Sequence, residues 1–478
     1  MVLDFFREIS RIPRGSGNEE GICGFLVSFA EERGLWVFRD SCGNVIIKKP
    51  GSFGLETRPP VILQGHMDMV CEKNGGKAHD FTKDPIRIIR DGDYLRADGT
   101  TLGADDGIAV AMALELLDSG VIAHPPLEVL FTADEESGMT GAAGVDGSLF
   151  DGRRLINLDS EEEGTFFVGC AGAVCAELSI PAEYESLDEG DKRTAFVLAV
   201  RGAKGGHSGI DIDKERAHAN ALLGCVLNTV LCECGGAVCR ISGGSKMSAI
   251  PRESEALLLI NNDDVEKAFN IAGEYNLRFA SEYRIPDPGV SVSLSPDGGR
   301  GGGRPFTKEM SGRIASALML TPNGALNFSS DFAGLVETSN NIGVIETKDG
   351  LVSLSCLIRS LKDSRRLAVK DKMSVLSKTM GNGCAVKFGD DYPGWQYSEE
   401  SDLREKMRSV YGRTYGKDPR ITAVHAGLEC GLLGARIKGL DMISLGPDIF
   451  SPHSPDERIS VPSVERLWGF LVEALRAL

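Results

Sequence analysis

Short apolar runs that end in ionisable motifs constrain the fold of this chain most strongly. The clearest run is Val61-Ile62-Leu63, which continues directly into Gln64-Gly65-His66-Met67-Asp68. Similar strand-like runs occur at residues 45–48, 127–132 and 155–158. They alternate with segments of helical periodicity at residues 2–12, 18–34 and 106–117. Strands that alternate with helices predict an α/β layered sheet with helices on both of its faces.

The pattern changes near Pro181 and changes back near Trp395. Residues 181–193 are polar and acidic and predict a linker. The strand and helix patterns that follow suggest two βαββαβ halves, each of ferredoxin-like topology. We therefore predict an α/β domain formed by residues 1–185 and 394–478, with an α+β lid domain inserted at residues 186–393. The glycine-rich run at residues 297–304 predicts a loop.

Composition narrows the class of protein. At 478 residues the chain is too long for one ordinary core. Its hydrophobic content of 42% and charged content of 25% are typical of soluble globular proteins. A formal net charge of −17 argues against nucleic acid or an anionic membrane as a partner. No apolar run is long enough to span a bilayer, and no signal-peptide pattern is present, so we expect a cytoplasmic protein. The twelve cysteines, irregularly spaced, also suit a reducing compartment.

The strand end at His66 is the first candidate metal site. Side chains alternate along a strand, so His66 and Asp68 point to the same side. A histidine with a carboxylate two residues on can bind a metal while the carboxylate orients the imidazole. Taken alone, the pair is more often a hydrogen-bonded strand end. Other motifs must therefore decide its meaning.

Four further motifs lie in the α/β parts of the sequence. They are Gly103-Ala104-Asp105-Asp106-Gly107, Asp134-Glu135-Glu136-Ser137-Gly138, Asn157-Leu158-Asp159-Ser160 and Ser451-Pro452-His453-Ser454-Pro455. Each has a structural alternative: an acidic helix start, a solvated loop, a capped strand end and an exposed loop histidine, respectively. Together they offer mixed nitrogen and oxygen ligands, which suit zinc and also manganese or cobalt. A metal pair sharing one carboxylate would lower the pKa of a hydrolytic water, with a free Glu as general base.

In order and spacing these motifs resemble the aminoacyl-histidine dipeptidases of the peptidase D type, within the carnosinase and aminoacylase group of di-zinc hydrolases. The resemblance covers essentially the whole chain and implies a zinc-peptidase-like mixed sheet with two Zn²⁺ per chain. It implies that Asp105 bridges the two ions, with His66 and Asp159 on opposite ions. It also implies that Asp68 orients His66 and that Glu135 is the general base and acid. The metal ligands that it implies are His66, Asp105, Glu136, Asp159 and His453. Many relatives have Asn in place of Asp106, and the family suggests a cis peptide after Asp105.

Three further residues are candidates for substrate contacts. The resemblance assigns His207, in Gly205-Gly206-His207-Ser208-Gly209, to the scissile carbonyl, often across a dimer interface; the alternative is a glycine-rich turn. Arg359 has the chemistry to pair with a substrate carboxylate, or is a surface strand arginine. Glu429, in His425-Ala426-Gly427-Leu428-Glu429-Cys430, is expected either to receive a free amino group or to have a structural role. The remaining histidines His79, His124 and His218 are assigned structural roles.

These observations predict a metal-dependent dipeptidase that acts on small unblocked peptides, of Xaa-His or broad specificity. The alternative is a deacylase of N-acylated amino acids that uses the same metal site. A non-catalytic relative would be expected to lose ligands or the base, and none is lost here. We expect a homodimer, with the alternative that the doubled lid replaces dimerisation.

Overall fold

A computed structural model describes residues 2–186, 191–298 and 303–478. The chain divides into two compact units. Unit 1 contains Met1–Cys170, Trp395–Val424 and Leu428–Leu478, and unit 2 contains Ala171–Gly394 and His425–Gly427. Part of the expected linker and half of the glycine run lie outside the described residues. Within the described ranges, no helix is long and apolar enough to cross a membrane.

Unit 1 is built on an eight-stranded mixed sheet. Its order is Trp36–Arg39, Val45–Lys49, Leu127–Thr132, Val61–His66, Arg154–Asn157, Asp441–Ser444, Thr165–Cys170 and Arg420–Val424. The four strands from Leu127–Thr132 to Asp441–Ser444 are parallel to one another. Every residue of Val61–His66 is buried, as expected for a strand covered on both faces. The carboxyl ends of the parallel strands meet at one edge of the sheet, where ligands gather in such folds.

The α-helices of unit 1 surround this sheet. Their bounds are Val2–Ile9, Glu20–Glu32, Ala104–Asp118, Glu135–Gly138, Thr140–Gly144, Asp402–Tyr415, Glu429–Arg436 and Val461–Ala477. The helix Ala104–Asp118 is rich in alanine and nearly every residue is buried, because small side chains allow close packing against Val2–Ile9 and Val61–His66. A smaller sheet contains Ile88–Asp91, Tyr94–Ala97, Arg458–Ser460 and Ile449–Phe450, and a 3₁₀ helix spans Gly147–Leu149.

Unit 2 contains one antiparallel sheet made of two ferredoxin-like halves. The first half has the order Ser291–Pro296, Arg193–Arg201, Ser254–Asn261 and Ala237–Gly243. The second half continues it with Val336–Lys348, Leu351–Ser360, Gly172–Pro181 and Ala385–Tyr392, and Gly324–Phe328 pairs beside Val336–Lys348. The two halves join where Ala237–Gly243 pairs with Val336–Lys348.

The boundary expected between the first domain and the insertion, at residues 185 and 186, is wrong by one strand. Gly172–Pro181 pairs with Leu351–Ser360 and Ala385–Tyr392 and is therefore the first strand of the second half. The sequence prediction placed it in the first domain, because its start, Gly-Ala-Val-Cys-Ala, is rich in small residues of weak strand preference. The inserted part of the chain thus starts earlier than residue 186.

Four α-helices cover one face of the unit 2 sheet: Ala219–Cys234, Val265–Glu282, Lys308–Leu320 and Asp363–Met380. Ile358 and Val174 point into the core beneath these helices. Because side chains alternate along a strand, Arg359 points to the opposite face, where its cross-strand partner is Ser339. The short pair Gly206–His207 and Ala249–Ile250 and the 3₁₀ helix Asn262–Asp264 complete the unit.

Candidate active site

Asp105 lies between two histidines at the carboxyl edge of the unit 1 sheet. Its Oδ1 lies 3.1 Å from Nε2 of His66, and its Oδ2 lies 3.0 Å from Nε2 of His453. His66 ends the buried strand Val61–His66, while His453 lies in the loop before the last helix. Each oxygen of the Asp105 carboxylate thus lies beside a different imidazole, which is the arrangement that a bridging ligand needs.

Each histidine has a second carboxylate beside it. Oδ1 of Asp159 lies 3.6 Å from Nε2 of His66, and Oε1 of Glu136 lies 3.1 Å from Nε2 of His453. Among the described residues, Oε1 of Glu136 is buried and has no hydrogen-bond donor besides this imidazole. The structure therefore brings together all five residues that the sequence proposed as ligands. Two imidazoles and three carboxylates fit a site for divalent metal ions.

The electrostatics of this cluster favour a cation. Hydrogen bonds that the His453 ring donates to the carboxylates of Asp105 and Glu136 raise the pKa of His453 to about 11. Burial raises the pKa of Asp159 to about 6, although His66 opposes this shift. The crowded carboxylates favour positive charge, which is held here as protons on the neighbouring imidazoles. A bound metal ion would supply that positive charge instead.

Asp68 connects the first histidine to the acidic turn. Oδ1 of Asp68 lies 3.4 Å from Nδ1 of His66 and accepts a hydrogen bond of 3.0 Å from the amide of Glu135. Oδ2 accepts bonds from the amide of Glu136, at 3.2 Å, and from the Ser16 hydroxyl, at 2.7 Å. Burial raises the pKa of Asp68, but the hydrogen bonds, that of His66 first, outweigh burial and lower it to about 2. Asp68 is thus an anion that holds both the imidazole ring of His66 and the turn at Glu135 and Glu136 in place.

Glu135 is placed to exchange protons beside this cluster. One ligating atom of each of His66, Glu135 and Glu136 lies within 4.8 Å of the others. Burial raises the pKa of Glu135 well above its usual value, and the charges of Asp159, Glu429 and Glu136 add to the shift while His66 opposes it. A carboxylate with a raised pKa is a better proton acceptor near neutral pH.

The loop that carries Asp105 is held by two residues that the sequence analysis did not assign. Oε2 of Glu457 accepts hydrogen bonds from the amides of Leu102 and Gly103, at 2.7 and 2.9 Å. Oε1 accepts bonds from the amides of Ala104 and Asp105, at 2.7 and 3.3 Å. Buried Arg14 donates to the carbonyl of Gly103 and also to those of Met67 and Asp68. Both residues bond to backbone atoms, so no sequence pattern could reveal them.

Asp106 supports the site through a hydrogen bond with the backbone of the strand Val61–His66. The peptide bond between Asp105 and Asp106 is cis, as the resemblance suggested. Oδ2 of Asp106 accepts a hydrogen bond of 3.2 Å from the amide of His66. An oxygen of Asp106 also lies within 4.8 Å of ligating atoms of His66 and Asp159. The bond to the His66 amide gives this carboxylate a structural task.

Glu429 is fully buried beside the same strands. Its Oε2 accepts hydrogen bonds of 2.6 Å from Nε2 of Gln64 and from the hydroxyl of Thr132. Its Oε1 is buried and accepts no hydrogen bond from any described residue. Burial raises the pKa of Glu429 to about 8, against the opposing charge of His66. One oxygen therefore has a structural role, and the other is available to a donor.

The two remaining candidates lie in unit 2. Nδ1 of His207 accepts hydrogen bonds of 3.3 Å from the amides of Gly209 and Ile210, so Nε2 is the ring nitrogen that carries a proton. Arg359 is only 6% exposed, and its buried Nε has no hydrogen-bond partner in the part of the chain that the structure describes. Arg359 is therefore a buried strand residue rather than the surface arginine that the sequence left as an alternative.

The fold and the site define a class of peptidases. The model of Peptidase family M20/M25/M40 matches residues 62–477, and the chain belongs to this family. The chain is a metallopeptidase, and its cluster of imidazoles and carboxylates is the candidate metal site.

Comparison with individual relatives gives more detail than the family alone. Over 477 residues the chain is 39% identical to the cytosol non-specific dipeptidase of Escherichia coli (strain K12), covering 100% of this chain and 97% of the relative. The crystal structure of the aminoacylhistidine dipeptidase from Vibrio alginolyticus matches with a TM-score of 0.90 and 38% identity, covering 100% and 96% of the two chains. A tripeptidase from Staphylococcus aureus matches with a TM-score of 0.56 at 17% identity, covering 99% and 97%, and shares the fold alone.

Proposed function

We propose that this metallopeptidase hydrolyses unblocked dipeptides, with a preference for Xaa-His or a broad range of side chains. The observation that carries the proposal is the position of Glu135. Its backbone amide donates to Asp68, and one of its carboxylate oxygens lies within 4.8 Å of ligating atoms of His66 and Glu136. The full-length similarity to two dipeptidases favours peptides over the N-acylated amino acids of the alternative reading.

The five clustered residues would hold two Zn²⁺ ions, or Mn²⁺ or Co²⁺ in their place. The resemblance places His66 and Asp159 on opposite ions, but the distances favour another division. Asp159 lies beside His66 and Glu136 lies beside His453, so each of these pairs would hold one ion, with Asp105 between them. Bound ions of this kind polarise the scissile carbonyl and supply a nucleophilic water at neutral pH.

Glu135 is the proposed general base and acid. It takes a proton from the attacking water and gives one to the leaving amine, and its raised pKa suits both steps. Asp68 keeps the Glu135 amide and the His66 ring in place while the proton moves.

Three residues are proposed to bind the substrate. The Nε2–H tautomer of His207 suits donation to the scissile carbonyl oxygen as negative charge develops there. The guanidinium of Arg359, whose Nε has no hydrogen-bond partner among the described residues, suits the substrate carboxylate. Oε1 of Glu429, which accepts no hydrogen bond within the described ranges, suits the free amino group.

The proposal includes a cytoplasmic homodimer that binds neither nucleic acid nor membranes. The Escherichia coli relative is described as a cytosol enzyme, and the net charge of −17 disfavours anionic partners. Sedimentation analysis tests the dimer directly, and a monomer would support a doubled lid that replaces dimerisation.

The decisive variant is Glu135→Gln. Because the amide cannot accept a proton, turnover of Ala-His should fall by about 10²–10⁴-fold, while metal content measured by mass spectrometry stays unchanged. Glu162→Gln, in the exposed acidic loop nearby, is the matched control and should keep wild-type rates. Full activity in Glu135→Gln would refute the assigned base.

Substrate and metal are tested with one panel. Metal-depleted enzyme re-supplied with Zn²⁺, Mn²⁺ or Co²⁺ should regain hydrolysis of dipeptides but leave N-acetyl amino acids intact. Cleavage of the acetylated compounds at the higher rate would favour the deacylase instead.

A further inference from the structure

One buried carboxylate joins the loop of Asp105 to the loop of His453. Glu457 is 1% exposed and accepts hydrogen bonds from four consecutive backbone amides at residues 102–105. It follows His453 by four residues in the same loop. The N-cap of the helix Ala104–Asp118 is a glycine, which has no side chain for capping, so Glu457 supplies the acceptor. A local cap would hold this loop alone, whereas Glu457 also holds the segment of His453.

His453 depends on this anchor more than His66 does. The His453 side chain is 51% exposed, whereas that of His66 is 1% exposed at the end of a buried strand. The φ angle of His453 is +58°, in the left-handed region that L residues seldom adopt. An exposed ring on such a backbone is positioned by its loop, and the hydrogen bonds to Glu457 keep that loop beside Asp105.

A buried guanidinium joins the loop of Asp105 to the strand end at His66. Arg14 is 2% exposed and donates to the carbonyl of Gly103 in the loop. Its Nη1 also donates to the carbonyls of residues 67–68, directly after His66, at 2.9 and 3.0 Å. A Cβ added at Gly103 would lie 2.6 Å from Nη2 of Arg14. The glycine, whose φ is +68°, therefore allows the guanidinium to reach the loop backbone.

The two attachments act on different halves of the candidate metal cluster. Oδ2 of Asp105 faces His453, and the carboxylate of Glu457 connects the loops of these two residues. Oδ1 of Asp105 faces His66, and the guanidinium of Arg14 connects the loop of Asp105 to that strand end. Each oxygen of the candidate bridge is thus held near its own histidine by a different residue outside the ligand set.

We propose that Glu457 and Arg14 are positioning residues that set the affinities of the two ions separately. Glu457 sets the affinity for the ion proposed beside His453, and Arg14 sets the affinity for the ion proposed beside His66. The inference rests on the two-metal site of the proposed function and deepens it. Residues that hold metal ligands in place usually change metal affinity by about 10–100-fold. Loss of either residue should therefore weaken one ion and spare the other.

Titration of the metal-depleted protein with Mn²⁺ tests the proposal without any peptide. In Glu457→Gln the side chain offers a single oxygen, so part of the loop loses its acceptor. In this variant and in Arg14→Met, calorimetry should give one dissociation constant raised by about 10–100-fold and the other unchanged. A carboxylate-bridged Mn²⁺ pair gives an exchange-coupled electron paramagnetic resonance spectrum. At a Mn²⁺ concentration between the two constants, this spectrum should be replaced by that of a single bound ion.

Double variants identify which ion is weakened. In His453→Ala the ion beside His66 should be the tighter one, and adding Arg14→Met should raise its dissociation constant while adding Glu457→Gln should not. In Asp159→Asn the ion beside His453 should be the tighter one, and the effects of the two changes should be reversed. Contributions that act on different ions add, and those that act on one ion do not. The same response to Glu457→Gln and Arg14→Met in both backgrounds would overturn the inference.

Two matched controls separate this role from general damage to unit 1. Buried Glu128 also accepts from backbone amides, those of residues 151–152, at the amino end of its strand. Buried Arg404 also donates to backbone carbonyls, those of residues 398–399. Glu128→Gln and Arg404→Met should therefore leave both dissociation constants at the wild-type values.

Conservative variants keep the test decisive if Arg14→Met does not fold. Arg14→Lys keeps the charge but cannot contact all three carbonyls, so it should weaken the ion beside His66 by less than Arg14→Met does. Wild-type constants in both Arg14→Lys and Glu457→Gln would overturn the inference. A protein that bound two ions but hydrolysed no dipeptide would refute the proposed function and leave the inference standing. A dipeptidase whose two ions weaken equally in each variant would refute the inference alone.

Discussion

Asp68 shows how much one buried carboxylate can organise. It contacts a candidate ligand ring, two consecutive amides of the acidic turn and a serine hydroxyl. The sequence predicted only the first of these contacts, since strand alternation places His66 and Asp68 on one side. The contacts to Glu135 and Glu136 depend on the parallel pairing of Val61–His66 with Leu127–Thr132.

Asp68→Asn is expected to lower kcat/KM by about 10–100-fold, the usual effect of removing a carboxylate behind a metal-binding histidine. The amide nitrogen of asparagine cannot accept from the turn, so one of the two amides loses its partner. Steady-state kinetics and metal titration measure the effect. Ser16→Ala removes a single bond and should cost about fivefold; wild-type kinetics in Asp68→Asn would contradict the assignment.

At the level of elements, the helix Ala219–Cys234 begins at an unusual cap. Nδ1 of His218 accepts the amide of Ala221, and its Nε2 lies 3.1 Å from Oδ1 of Asn341. Histidine is not among the usual N-cap residues, so the sequence carries no clear signal for the start of this helix. Burial lowers the pKa of His218 to about 4, although Asn341 opposes the shift, so the folded protein keeps this ring neutral.

His218 should therefore make unit 2 sensitive to acid. Its folded pKa lies below the ordinary value of 6.5, so the unfolded chain binds a proton that the folded chain does not. This contribution is constant above pH 6.5 and is lost as the pH falls toward 4. Urea unfolding should lose about 2 kcal/mol more in wild type than in His218→Asn between about pH 7.5 and about pH 5. Parallel pH curves for the two proteins would count against a neutral buried cap.

For the whole molecule, the points where the chain leaves and re-enters unit 1 are adjacent. The amide of Cys170 donates to the carbonyl of Trp395 at 2.9 Å, and the amide of Trp395 donates back at 3.0 Å. An insertion whose ends are paired in this way leaves the host sheet continuous. Unit 1 should consequently tolerate removal of the intervening residues.

Joining Cys170 to Trp395 through a short Gly-Ser linker should give a folded protein that still binds metal. Peptidase activity should fall below detection, since His207 and Arg359 are removed. Circular dichroism and metal titration check folding, and Ala-His hydrolysis checks function. Turnover near the wild-type level would show that the residues of unit 2 are dispensable.

The sequence predicted the parts of this molecule that depend on local pattern. The apolar run Val61-Ile62-Leu63 located a buried strand, and five motifs at strand ends or in loops located residues that the structure clusters. Gly172–Pro181 was misplaced, because its partners lie far along the chain and its side chains are small. Arg14 and Glu457 were missed, because their partners are backbone atoms 89 and up to 355 residues away.

The hydrogen bonds that the loop of Asp105 donates to Glu457 have a consequence for biosynthesis. The acceptor for the amide of Asp105 follows it by 352 residues. As the nascent chain leaves the ribosome, Asp105 emerges long before the carboxylate that fixes its loop, and His453 emerges equally late. Hydrolytic competence therefore begins only after residue 457 has left the ribosome, and the growing polypeptide stays catalytically silent until then.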